Sequence, residues 1–105
     1  NKRLAVPASA DPIPSSAMQE DHVSMGWSAA RKLRQSIVNT QRIAAIELLT
    51  AARALDLRAP LQPGPITKAV RDRLRATVAG PGPDRYLSPE LEAAVVFVQK
   101  GDVLS

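Results

Sequence analysis

Residues 23–57 read VSMGWSAARKLRQSIVNTQRIAAIELLTAARALDL, a stretch without proline in a chain that holds nine. Within it Val23, Trp27, Ala30, Leu33, Ile37, Ala44, Leu48, Ala51 and Leu55 recur mostly three, four or seven residues apart, which is helical periodicity. Arg31, Lys32, Arg34 and Gln35 mark a wetter face early on. Later Ile43, Ala45, Ile46, Leu49, Ala52 and Ala54 widen the apolar arc, and a helix apolar nearly all round is buried on most sides. One helix over about 21–57 would measure roughly 55 Å at 1.5 Å per residue. A compact domain of this length has a radius of gyration of only about 13 Å. The apolar face along residues 43–55 therefore needs covering that the rest of the chain cannot fully supply.

The flanks punctuate this helix. Upstream, Pro7, Pro12 and Pro14 push their preceding residues away from helix, so residues 1–15 read as an extended, proline-rich lead-in and 16–105 as one helical segment. Ser16-Ala17-Met18-Gln19 spells a capping box, which places the helix start there. Downstream of a proline-dense loop, Ile66, Val70, Leu74 and Val78 form an i, i+4 stripe opposite Lys68, Arg71, Asp72, Arg73 and Arg75. Gly80-Pro81-Gly82-Pro83 breaks the chain. A third helix opens at Ser88 as N-cap with Pro89 and Glu90 behind it, buries Leu91, Ala94, Val95 and Val98, and stops at Gly101. The fold class is all-α: one long central helix followed by two shorter ones.

Composition excludes several functions. The 105 residues are 45% hydrophobic and 23% charged, which fits a globular chain rather than a disordered one. A net charge of +4 is weak support for nucleic acid, because Trp27, Tyr86 and Phe97 are the only rings available for stacking. No nucleic-acid partner is expected. The absence of cysteine removes disulfides, thiolate zinc sites and a Cys nucleophile, in keeping with a cytoplasmic protein. No apolar run approaches a membrane span, and none forms the core of a secretory signal. The chain lacks an initiator Met and is expected to be processed or part of something larger.

Chemistry concentrates at Gln19-Glu20-Asp21-His22. At the mouth of a helix, free N–H groups and the positive dipole end favour a carboxylate or an anionic ligand. Three consecutive residues point in different directions and do not make a metal site. Each also has a plain structural explanation: Gln19 closing the capping box, Glu20 and Asp21 as first-turn acids, His22 as an ordinary surface or interior residue. Ser24 has no base nearby except His22, on another face, so a Ser–His nucleophile is not expected.

The string from Ile13 to Gly26, IPSSAMQEDHVSMG, resembles the C-terminal signature of histidine-specific members of the aromatic amino-acid lyase family. The segments Ala29–Arg34, Ala45–Arg58 and Asp84–Pro89 follow the family in the same order. The resemblance implies a helical-bundle lyase fold and the non-oxidative deamination of L-histidine to trans-urocanate and ammonia, the first step of histidine breakdown. It implies a methylidene-imidazolone electrophile formed from an internal Ala-Ser-Gly, and an active site shared between subunits of a homotetramer. By the same resemblance Glu20 is the catalytic residue, Gln19 and Glu20 bind substrate, and Met18 and His22 shape the site. Met18 stands where the commoner motif has Asn. The only Ala-Ser pair, Ala8-Ser9, is followed by Ala10, so the electrophile is not formed within this chain. The chain is expected to be a C-terminal portion, silent alone and completed by the missing N-terminal part of the same enzyme. Two alternatives stay open: a stand-alone helical oligomerisation module, and a tyrosine or phenylalanine ammonia-lyase or aminomutase relative.

Overall fold

The computed structural model describes residues 1–10, 13, 16–19 and 23–104. All regular structure among them is helical, as the periodicity predicts: α1 (Lys2–Ala5), a 3₁₀ turn (Ser16–Met18), α2 (Gly26–Leu57), α3 (Pro65–Arg75) and α4 (Ser88–Lys100). No helix among them is long and apolar enough to cross a membrane. The chain forms two compact units, 1–40 and 41–105.

The long helix is real but starts later than the capping pattern predicts. Its 32 residues span about 48 Å. Ala17 and Met18 have positive φ, at 52° and 69°, which a right-handed helix start does not allow. The first helical bond instead runs from the Ala29 N–H to the Met25 carbonyl, at 2.9 Å. Serine and threonine inside α2 return their hydroxyls to the preceding turn: Ser36 to the Lys32 carbonyl, Thr40 to that of Ser36 and Thr50 to that of Ile46.

In the first unit the lead-in is not wholly extended, since α1 forms one turn of helix. It is tied to the polar side of α2, where Lys32 Nζ donates to the Val6 carbonyl and Asn39 Nδ2 donates to Asn1 Oδ1 at 2.7 Å. Trp27 (76% exposed), Leu33 and Ile37 stay open.

The second unit packs the end of α2 against α3 and α4. Its core is Ala45, Ala52, Leu74, Val78, Ala94, Val95 and Phe97, with Leu48, Leu49, Ala93, Val98 and Val103 partly buried against it. The buried seam of α2 thus lies on Ala45 and Ala52, one residue round from the Ala44 and Ala51 of the sequence stripe; small side chains there let the neighbouring helices approach closely. Of the α3 stripe, Leu74 is fully buried while Ile66 is 81% exposed. In α4 the helix begins at Ser88 with Leu87 in the cap position and no side-chain cap, so Ser88 is its first residue rather than its N-cap. Phe97 joins Ala94 and Val95 in the core, and Leu91 and Val98 are only partly covered. Gly101 ends α4 as expected: its φ of 78° suits glycine, and the Gly101 and Asp102 N–H groups donate to the Val98 and Phe97 carbonyls at 3.1 and 3.3 Å.

Candidate functional site

The described ends of the signature segment are tied to each other. The Val23 N–H donates to the Ile13 carbonyl at 2.9 Å, bringing the two ends together before α2 begins. Between them lies the 3₁₀ turn with its left-handed pair Ala17 and Met18, followed by Gln19 in a turn. The Met18 side chain is 84% exposed, and Gln19 is also exposed. Glu20, Asp21 and His22 lie outside the described residues. Ser24, just past the loop base, accepts a hydrogen bond from the Gly26 N–H on its Oγ at 3.3 Å. The dipole end of α2 therefore falls at Met25 and Gly26 rather than at the Gln19–His22 string. Among the described residues no group of His, Cys, Asp or Glu is arranged to hold a metal ion.

A concavity that the sequence did not single out lies within the 41–105 unit. It is a cleft of about 330 Å³, with Ile46, Leu49 and Leu91 in its walls and Arg53, Arg85 and Glu90 among its polar lining. Arg85 Nε and Nη2 donate to the two Glu90 carboxylate oxygens at 2.5 and 3.2 Å, and Nη2 also donates to the Gly80 carbonyl at 2.9 Å. The Arg85 hydrogen bond and charge, with Arg75 and Arg53 further off, hold the Glu90 carboxyl below its ordinary pKa; Glu90 in turn raises that of Arg85. Arg75, which also lines the cleft, grips Asp56 Oδ2 through Nε and Nη2 at 2.9 and 2.6 Å. These pairs bridge separate elements of the unit. They fasten the Gly-Pro loop to α4 and the end of α2 to α3, and leave the carboxylates engaged rather than free for proton transfer.

A model of the family described as aromatic amino acid lyase matches residues 1–76. The chain belongs to the aromatic amino acid lyase family. The matched region takes in the tied loop, α2 and α3. Among lyase relatives, the chain is 64% identical over 105 residues to a histidine ammonia-lyase of Streptomyces avermitilis, covering 99% of this chain and 20% of that protein. It is 51% identical over 105 residues to a histidine ammonia-lyase of Symbiobacterium thermophilum, covering 100% of this chain and 21% of the relative. The chain thus spans about one fifth of the length of the curated relatives it matches. The crystal structure of histidine ammonia-lyase from Trypanosoma cruzi superposes with a TM-score of 0.91 at 38% identity, covering 97% of this chain and 20% of that one. Tyrosine aminomutase from Streptomyces globisporus superposes at 0.87 with 34% identity over the same shares. These helices are therefore a segment of the helical lyase fold.

Proposed function

We propose that this chain is the C-terminal portion of a histidine ammonia-lyase, an enzyme that converts L-histidine to trans-urocanate and ammonia in the cytoplasm. The 64% identity to a protein of that name, sustained over essentially the whole chain, is the observation that carries this reading. Within it Glu20 is the catalytic acid–base group, Gln19 and Glu20 contact the substrate amino acid, and Met18 and His22 shape the pocket. A carboxylate in that role holds or moves a proton at the substrate while neighbouring groups fix its orientation.

The family's methylidene-imidazolone group does not fit this segment. Its parent tripeptide ends in glycine, whereas Ala8-Ser9 is followed by Ala10, whose N–H closes a turn onto the Pro7 carbonyl at 3.3 Å. The group belongs to the part of the enzyme that this chain would complete, as a homotetramer.

The test is a graft. This chain replaces the matching fifth of the S. avermitilis histidine ammonia-lyase, and urocanate absorbance is followed with L-histidine as substrate. Activity is expected, and Glu20→Ala in the graft should remove at least about 4 kcal/mol of transition-state stabilisation, roughly a thousandfold in kcat/KM. A correctly assembled graft that makes no urocanate sinks the proposal. A Glu20→Ala loss below about 1 kcal/mol reduces Glu20 to an ordinary loop acid. The likeness to tyrosine aminomutase supports a second reading, with tyrosine as substrate. Turnover of L-tyrosine in place of L-histidine would favour it.

A further inference from the structure

We infer that Ala17 is a positioning residue for the candidate site: its left-handed backbone, shared with Met18, sets the direction in which Gln19 leaves the turn. This rests on the lyase reading of Gln19. Ala17 sits at φ 52° and ψ 42°, and Met18 at φ 69°. For an L-residue this region crowds Cβ against the following carbonyl oxygen. Glycine escapes that cost, and asparagine tolerates it better than most. Alanine and methionine have no polar side chain with which to offset it locally.

Within this chain the Met18 side chain is almost wholly exposed, so nothing in the segment itself packs against the turn to offset the cost. The bond from the Val23 N–H to the Ile13 carbonyl closes the loop, so the chain must reverse within a short span. The left-handed pair lies inside that span. Residues held in sparsely populated backbone regions cluster where geometry serves function. If either residue relaxes to a right-handed or extended state, the path of the chain into Gln19 swings, and small displacements of a substrate contact cost much in rate. Alanine is the smallest side chain that can stand at position 17 without the freedom of glycine.

The experiment uses substitutions at position 17 in the grafted S. avermitilis enzyme. Asparagine and leucine are close in size but differ in tolerance of the left-handed region, which separates backbone conformation from bulk. Ala17→Gly and Ala17→Asn should keep kcat within about threefold, whereas Ala17→Leu should lower it roughly 10-fold and Ala17→Val up to about 100-fold. Among variants that fold, melting temperature should move little, since no described residue of this turn belongs to the buried core. A merely steric role would group Asn with Leu. Equal kcat for the Asn and Leu variants overturns the inference, and that pair decides even if the Val variant does not fold. Limited proteolysis of the unsubstituted graft and the variants reads the turn without activity: faster cleavage within residues 13–23 is expected for Leu than for Asn, and equal cleavage overturns the inference. An inactive parent graft counts against the lyase reading; an active parent with a flat position-17 series counts against the role of Ala17 alone.

Discussion

Leu74 and Ile66 occupy the same helical stripe in the sequence, yet Leu74 is completely buried and Ile66 is open to solvent, so truncating each gives a paired measurement. Leu74 is one of the two largest fully buried side chains, packed in a small cluster with Val78, Phe97 and the alanines of α2 and α4. Leu74→Ala loses the transfer energy of the removed carbons and leaves a cavity, together about 3 kcal/mol. A unit the size of residues 41–105 holds on the order of 3–10 kcal/mol in total, so this one change removes a third or more of it. The midpoint of urea unfolding, followed by far-UV circular dichroism, should fall by about 3 M at a typical m-value, and Tm by roughly 12–24 °C. Ile66→Ala should stay within about 0.5 kcal/mol of the parent. A Leu74→Ala midpoint within about 0.5 M of the parent, or an Ile66→Ala shift of equal size, would refute this packing.

Two further outcomes follow from the ion pairs. Asp56→Asn leaves the half-buried Arg75 without its charged acceptor and should cost about 1–3 kcal/mol by the same unfolding assay, while Glu92→Gln, which breaks only the exposed 3.8 Å contact with Arg42, should change stability by less than about 0.5 kcal/mol. Asp72 is held below the ordinary carboxylate range by hydrogen bonds from Lys68 and Arg71, as Glu90 is by Arg85. Depressed carboxyl groups contribute stability above their unfolded pKa of about 4, and lose it as pH falls through the folded values. Thermal melts should therefore be flat from neutral pH down to about 5 and decline below about 4, and the double variant Asp72→Asn, Glu90→Gln should show a shallower acid limb. An unchanged limb would remove both pairs from the acid response.

Helix type and order were legible because periodicity and breakers act locally: the proline-free run, the Gly-Pro loop and Gly101 each carry their own instruction. The start of α2 was not. Ser16 and Gln19 have capping-box spacing, but spacing does not reveal that Ala17 and Met18 turn left-handed between them. The seam on Ala45 and Ala52 was hidden by an apolar arc wide enough to accept contact on several faces, so the choice fell to where α3 and α4 dock. The Asp56–Arg75 pair joins residues on different helices, and no one-dimensional pattern announces such a partner. At the candidate site, the residue types of the signature string were readable, while the tie between Ile13 and Val23 that closes the loop was not.

That tie has an evolutionary side. Among the described residues the buried cluster and the side chains packed on it run from 45 to 103, and no described residue of 13–23 belongs to it. Substitutions at Ala17, Met18 and Gln19 therefore remove no side chain from that cluster, and changes at sites with no shared partner add rather than compound. A lineage can change these exposed positions one at a time without opening a cavity in that cluster. Relatives named as a histidine ammonia-lyase and a tyrosine aminomutase share this helical segment at TM-scores of 0.91 and 0.87. One helical frame thus recurs in proteins of two different names whose sequences are only 38% and 34% identical to this chain.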